Sequence, residues 1–177
     1  MTTATPRQAT LSPRVLDSPG LPPVSLRPAR PEDAAALAEL SRPFVRAGAL
    51  RERPLSLYAR QAADFLVAET PGGTVDGCIG LAAHAADASA GRPAAGVLYN
   101  FCVAGRRQGC GMGARLLNAA LARARSRSLR SLFTATTGEG HLFLRHGFAP
   151  ASASLAPAAW AQSLDPRRNA LILARAL

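Results

Sequence analysis

The sequence predicts an α/β or α+β domain in which strands alternate with helices around one central sheet. Two observations support this fold class. Short apolar runs typical of strands alternate along the chain with longer runs whose apolar residues recur at helical spacing. The chain also has 177 residues, 48% of them hydrophobic, which suffices for one well-buried domain and is too short to favour two.

The N-terminal half predicts one strand, two helices and a hairpin. The strand begins at Val24 with "VSLRPA". The helix after it has Pro31 in its first turn, acidic residues where the helix dipole favours them, and a break or kink at Pro43. A second, short helix is predicted for "SLYARQAAD", and the turn "TPGG" joins the strands "FLVAE" and "VDGCIGLAAH".

The C-terminal half predicts a strand, a glycine-rich turn, a long helix and then shorter elements. The apolar strand "GVLYNFCV" leads directly into the glycines, and the helix after them buries a stripe that includes Leu116, Leu117 and Leu121. Further elements are a strand at "SLFTAT", a short helix "GHLFLRH" closed by Gly147, and strand material at "FAPAS" and "NALILARAL". These elements complete the alternation on which the fold class depends.

Residues 1–23 are expected to form a disordered tail, and the folded domain is expected to span 24–177. The tail is rich in Thr, Pro and Ser and lacks the apolar centre of a secretory signal. No run approaches ~20 apolar residues, so we expect no membrane span. The cysteines Cys78, Cys102 and Cys110 lack metal-ligand spacing, which predicts reduced thiols in a cytoplasmic protein and no metal site.

The chain is strongly basic, with a formal net charge of +10, and all 21 of its basic residues are arginines. A positive field favours anionic ligands such as a polyphosphate cofactor or a dicarboxylate. The arginines are spread along the chain without the interleaved aromatics of a single-strand binding surface, and only 5% of the residues are aromatic. We therefore expect no nucleic-acid partner.

The stretch "QGCGMG" stands between a strand and a helix, where unpartnered main-chain N–H groups attract an anion such as a pyrophosphate. A Walker loop would need a lysine, which this chain lacks. A dinucleotide fingerprint would need G-x-x-G spacing and an acid about 20 residues later, and neither is present. The pattern that fits is Q-x-x-G-x-G, formed by Gln108, Gly111 and Gly113 after Arg106 and Arg107.

This pattern resembles the coenzyme A pyrophosphate loop of the GNAT acetyltransferases, and the strand before it and the helix after it follow GNAT order. The resemblance extends over Val24 to Leu177 and is closest to the N-acetylglutamate synthases. It rests on "ELSRPFVRAGALRER", on "TTGEGHLFLRHGF" and on "RRNALILARAL". The resemblance implies a mixed, mostly antiparallel central sheet flanked by helices, with acetyl-CoA bound at a splayed strand pair.

The resemblance also implies residue roles. Phe101, Cys102 and Val103 should present strand backbone to the acetyl group and the pantetheine arm, and the oxyanion donor should be an N–H near Cys102 or Val103. The pyrophosphate should be bound by N–H groups of Arg107, Gln108, Gly109, Cys110, Gly111, Met112 and Gly113. Arg53 and Arg168 fall where family arginines hold the two carboxylates of glutamate, a task that suits a guanidinium fork.

The sequence departs from this family at two functional positions. The usual glutamate before the loop is replaced by Val97, and a substrate-binding serine is replaced by Ala170. The catalytic base is therefore unknown. The candidates are Glu139, His141, His84 or a bound water, with Tyr99 as a possible general acid; packing and helix-dipole roles are the alternatives for His141 and Glu139.

Three functions stay open at this point. The first is acetylation of the α-amine of an amino acid, with glutamate, a precursor in arginine biosynthesis, as the leading substrate. The second is a GNAT enzyme that acetylates another small amine, a toxic amino-acid analogue or a protein N-terminus. The third is a coenzyme-binding module without catalysis. A homodimer is a further expectation from the resemblance. Full-length relatives carry an arginine-sensing domain ahead of this one, so with the short tail we expect no arginine inhibition through such a site.

Overall fold

A computed structural model describes residues 20–177, and nearly all of the predicted tail lies outside the described residues. Within that range a seven-stranded sheet is flanked by helices on both faces. Its strands are β1 (Ser25–Pro28), β2 (Phe65–Glu69), β3 (Val75–His84), β4 (Ala95–Val103), β5 (Ser131–Thr136), β6 (Ala149–Pro150) and β7 (Leu171–Ala176). The helices are α1 (Ala34–Arg46), α2 (Leu55–Arg60), α3 (Met112–Ser126), α4 (His141–Arg145) and α5 (Ala158–Ser163).

The strand order is β1-β2-β3-β4-β5-β7-β6, and every pairing is antiparallel except that between β4 and β5. The parallel pair is short, because Ala95–Val97 pair with Ser131–Phe133 and no later residues of β4 and β5 pair. β5 stays paired with β7 as far as Thr136. The two central strands therefore splay apart and leave a gap in the sheet beyond Val97.

Two packed layers cover the sheet. α3 buries its apolar stripe against one face, where Leu98 and Phe101 of β4 also point. α1 and α2 cover the opposite face around Phe65, Val67 and Tyr99. A smaller cluster joins β4, β5 and α5 through Val97, Phe133 and Trp160. Burial of these apolar groups is the main favourable contribution to folding.

The mixed α/β fold class is confirmed, and three elements differ in detail from the prediction. α1 is not broken at Pro43 but continues to Arg46; the proline costs the helix one hydrogen bond, the one that its missing N–H would donate to the carbonyl four residues earlier. β6 is only two residues long. α5 was not predicted, because "AAWAQS" is too short for a helical period to be recognised. No helix in residues 20–177 is long and apolar enough to cross a membrane.

Candidate active site

A cavity of about 570 Å³ lies where β4 and β5 separate. Residues from the end of β3, the middle of β4 and the end of β5 line its inner side. The loop between α1 and α2 and the segment that connects α5 to β7 form its outer walls. The polar and aromatic side chains that bear on function are those of Arg53, His84, Tyr99, Trp160, Asp165 and Arg168.

β4 contains a β-bulge beside the cavity. Gly80 pairs with Tyr99 and Cys78 pairs with Cys102, so β4 has one more residue than β3 between these pairs. Asn100 has a φ of 47°, in the left-handed region that Asn tolerates better than most residues. This bulge was not predicted from the sequence; the one signal available was an Asn inside an otherwise apolar strand.

Hydrogen bonds from α1 and α2 hold the Asn100 side chain, which is buried. Its Nδ2 donates to Ser41 Oγ at 2.9 Å, and its Oδ1 accepts from the Tyr58 hydroxyl at 3.3 Å. Ser41 Oγ also donates to the carbonyl of Leu37 at 2.7 Å. Hydrogen bonds within a buried network strengthen one another. These bonds therefore hold the backbone of β4 in one conformation beside the gap.

Tyr99, a candidate from the sequence, lines the cavity, and its hydroxyl and its ring both make polar contacts there. Its hydroxyl donates to Asp64 Oδ2 at 3.0 Å, and the guanidinium carbon of Arg53 lies 4.8 Å from the centre of its ring. Burial and then the negative charge of Asp64 raise the pKa of Tyr99 well above its usual value. The phenol therefore stays protonated at neutral pH.

Both predicted substrate arginines line the same cavity, although they are 115 positions apart in the chain. Arg168 Nη2 donates to the carbonyls of Gly48 and Ala49 at 2.8 and 2.9 Å. Arg51 Nη1 makes a reciprocal contact by donating to the Ser163 carbonyl at 2.8 Å. These bonds connect the two outer walls of the cavity.

The candidate bases separate into two groups. Glu139 and His141 pair with each other at the surface, where their side chains are 81% and 72% exposed, and neither lines the cavity. His84 and Tyr99 do line it. The structure also places Asp165 in the wall, where its carboxylate accepts from the Arg167 amide at 3.0 Å. Asp165 was not predicted from the sequence, because it stands in a segment with no predicted helix or strand.

The glycine loop runs from β4 into α3 as predicted, and two of its glycines are needed for backbone conformation. Gly109 and Gly111 have φ values of 77° and 80°, and a Cβ at either position would meet nothing within 4 Å. Within residues 20–177 the amides of residues 109–111, which precede α3, donate no hydrogen bond to the protein, and those of residues 112–114 lie in its first turn, where a helix leaves its N–H groups without internal partners. The loop thus presents a row of donors at the start of a 15-residue helix.

Two predicted members of the loop differ from expectation. The amides of Arg107 and Gln108 donate to the carbonyls of Ala104 and Gly105, at 2.7 and 3.2 Å, because a short 3-10 turn precedes the glycines. The Arg107 side chain is buried and forms an ion pair with Asp76 at 2.7 Å. The main-chain amides of Arg107 and Gln108 therefore already have partners within the protein.

Gly113 allows close packing. A Cβ there would lie 3.1 Å from Leu142 Cδ2 and 3.5 Å from Phe101 Cζ. The missing side chain therefore lets α4 and β4 approach α3. Phe101 and Val103 point to the α3 face, and Cys102 is buried on the α1 face beside Cys78. The three strand residues implied by the resemblance thus lie between the cavity and the glycine loop.

Comparisons with known proteins agree with this geometry. A family model described as an acetyltransferase (GNAT) domain matches residues 61–150, which is half of the chain. An amino-acid acetyltransferase of Ectopseudomonas mendocina (strain ymp) is 35% identical over 156 residues, covering 86% of this chain and 34% of that protein. A second, from Azotobacter vinelandii (strain DJ / ATCC BAA-1303), is 34% identical over 155 residues with the same coverage.

A solved structure gives the same result. The crystal structure of N-acetylglutamate synthase from Neisseria gonorrhoeae, complexed with coenzyme A and N-acetyl-glutamate, aligns with a TM-score of 0.76 and 30% identity. The match covers 87% of this chain and 35% of that one, so the chain spans about a third of the length of these relatives. The fold and the family that the sequence predicted are confirmed: this chain belongs to the GNAT acetyltransferase family.

Proposed function

We propose that this chain is an acetyl-CoA-dependent N-acetyltransferase that acts on the α-amine of an amino acid, with glutamate as the leading substrate. The observation that carries the proposal is the presence of Arg53 and Arg168 in one cavity at the gap between β4 and β5. Two guanidinium groups are suited to two carboxylates. The names of the relatives, amino-acid acetyltransferase and N-acetylglutamate synthase, support the same substrate class.

The glycine loop would hold acetyl-CoA, which supplies the acetyl thioester. Amides of residues 109–114 are available to its pyrophosphate, and the positive end of α3 adds to the attraction. The pantetheine arm would then lie along Phe101–Val103 and bring the thioester to the gap. A strand N–H there would donate to the carbonyl oxygen, a contact worth about 3–4 kcal/mol in comparable acyl-transfer sites.

The amine must lose a proton before it attacks the thioester carbonyl, and the sulfur must gain one after the carbon–sulfur bond breaks. His84 is a candidate for the first transfer, because it lines the cavity and a neutral imidazole has a ring nitrogen that can accept a proton. Tyr99 is a candidate donor for the second, because its phenol is protonated. A positioned base or acid of this kind contributes about 10²–10⁴-fold in rate.

A second candidate function is acetylation of a different small amine. Val97 and Ala170 both line the cavity at the positions where the family pattern has a glutamate and a serine. The Asp165 carboxylate on the same wall would also repel a second substrate carboxylate placed near it. These features favour a substrate with one carboxylate or none.

The test is the release of free coenzyme A from acetyl-CoA in the presence of each of the twenty amino acids. Turnover confined to glutamate and close analogues supports the first function, and turnover with other amines supports the second. Binding of acetyl-CoA without turnover on any amine would contradict both. Arg53→Ala and Arg168→Ala should raise the KM for glutamate without changing the KM for acetyl-CoA.

We further propose that residues 24–177 form the catalytic domain of a cytoplasmic homodimer. Reduced thiols at Cys78, Cys102 and Cys110 support a reducing compartment. Light scattering of the purified chain measures the oligomeric state directly, and a monomeric mass at micromolar concentration would contradict the dimer.

A further inference from the structure

Arg53 differs from the other arginines of the cavity in what it contacts. Arg168 and Arg51 each donate to main-chain carbonyls of the opposite wall. Within residues 20–177 the Arg53 guanidinium makes no hydrogen bond or ion pair, and its central carbon lies over the Tyr99 ring, 4.8 Å from the ring centre. Its N–H groups are therefore available to a ligand in the cavity.

The Tyr99 ring is itself held from three sides. Beneath it lies Gly80, where a Cβ would be only 2.7 Å from the ring carbon Cζ, so the ring packs directly on the backbone of β3. Phe65 contacts it edge-to-face with ring centres 5.2 Å apart. Its hydroxyl donates to Asp64 at 3.0 Å. The ring cannot turn away without losing all three contacts.

We propose that Tyr99 is a positioning residue that sets Arg53 for the carboxylate of the amino-acid substrate. This inference rests on the proposed function and deepens it. An aromatic face attracts a guanidinium through its ring quadrupole but does not use its N–H donors. Stacking on the Tyr99 ring therefore fixes the position of the Arg53 guanidinium and leaves its N–H donors free to bind a carboxylate.

The stack also reduces the cost of binding. An arginine side chain without contacts loses rotamer freedom when it binds a ligand, and this loss of entropy lowers the affinity for the ligand. On Tyr99, much of this freedom is already lost before the substrate arrives. Removal of the ring should therefore weaken substrate binding through Arg53, while acetyl-CoA binding at the distant glycine loop stays unchanged.

The chain contains a single tryptophan, and Trp160 lines the cavity, so its fluorescence reports on occupancy without turnover. The experiment titrates glutamate, or whichever amino acid the wild type acetylates best, into wild type, Tyr99→Leu, Tyr99→Phe, Arg53→Ala and the Arg53→Ala/Tyr99→Leu double variant. KM values for both substrates are measured in parallel, and thermal unfolding checks that each variant folds.

In the protein that retains Arg53, Tyr99→Leu should weaken amino-acid binding about tenfold, the size of effect expected for a desolvated cation–π contact. In the Arg53→Ala background the same change should cost less than about twofold, because no guanidinium is left to position. Tyr99→Phe keeps the ring and should retain most of the affinity. The KM for acetyl-CoA should stay within about twofold throughout.

The inference is overturned if Tyr99→Leu costs the same with and without Arg53, because the ring would then act independently of the guanidinium. It is also overturned if Arg53→Ala leaves amino-acid binding unchanged in an active enzyme, a result that would leave the acetyltransferase function intact. Failure of the proposed function looks different: wild type then releases no coenzyme A with any amino acid. If wild type also fails to bind amino acids, the carboxylate role of Arg53 is overturned with it.

Discussion

Asn100 lies at the β-bulge of β4 and contributes to its shape in two ways. It combines a left-handed backbone with a buried amide that contacts Ser41 and Tyr58. Its side-chain amide supplies hydrogen-bond partners to the hydroxyl groups of Ser41 and Tyr58, which are buried away from water. The same side chain therefore satisfies polar groups of two helices and permits the extra residue in the strand.

We expect Asn100→Ala to lower the free energy of unfolding by about 2 kcal/mol, through lost hydrogen bonds and a disfavoured φ. Asn118→Ala is the matched control, because Asn118 is exposed on α3 and alanine favours a helix. That variant should unfold within about 0.5 kcal/mol of wild type in urea. Equal losses in the two variants would contradict the role given to Asn100.

Cys110 should be the one thiol that reacts rapidly in the native protein. Cys78 and Cys102 are buried, and hydrogen bonding to Cys102 together with burial raises the pKa of the Cys78 thiol. Cys110 is half-buried in the glycine loop. Saturating coenzyme A should slow alkylation of Cys110 several-fold, measured by mass spectrometry. Unchanged alkylation would place the coenzyme away from this loop.

At the scale of elements, the junction of β4 with α3 is the part that the sequence predicts best. Two glycines separated by one residue, after an apolar strand and before an apolar stripe, determine a turn and a helix start almost by themselves. The bulge and α5 were not predictable in the same way. Asn100 takes its conformation from Ser41 and Tyr58, which are distant in sequence, and α5 depends on packing of Trp160 against Phe133.

Gly111→Ala should disturb the loop more than Gly105→Ala does. Neither Cβ would meet a neighbour within 4 Å, but only Gly111 has a left-handed φ, so only there is an alanine strained, by about 1–2 kcal/mol. We expect Gly111→Ala to raise the KM for acetyl-CoA about tenfold and to leave the KM for the amine unchanged. If Gly105→Ala had the same effect, backbone conformation would not be the reason.

At the scale of the whole molecule, Arg27 connects the first two strands to the start of α1. Its guanidinium binds Asp33 at 2.7 Å and Glu69 at 2.7 Å, and hydrogen bonds from Arg27 lower the pKa of both carboxyls. A carboxyl with a lowered folded pKa stabilises the fold above its unfolded pKa, about 3.9 for Asp and 4.3 for Glu. That stabilisation is lost as the pH falls through the folded value.

The stability difference between wild type and Arg27→Gln should therefore be constant above about pH 5 and shrink below about pH 4. Urea unfolding at pH 7, 5 and 3 measures it. Arg42→Gln is the control, because the Arg42–Glu39 pair on α1 is exposed and contributes at most about 1 kcal/mol. A difference that grows towards pH 3 would contradict the lowered pKa values.

Most strands and helices along the chain, and the family, could be predicted from the sequence, because they depend on local apolar patterns and on the glycine motif. The composition of the cavity could be predicted only in part. Arg53, Arg168 and Tyr99 were identified and line it, but Asp165 was missed, and Glu139 and His141 lie outside. Which side chains meet there depends on how the sheet splays, and that is a property of the complete fold.

Because β4 and β5 splay apart, the gap between them connects the two faces of the sheet. On the proposed function the coenzyme docks at the α3 side, while the amine lies on the side of Tyr99 and Trp160. Neither reactant blocks the entrance of the other, so both can be resident together before the acetyl group crosses. The rate law should accordingly show a ternary complex, with intersecting double-reciprocal lines, and no acetylated form of the protein should accumulate.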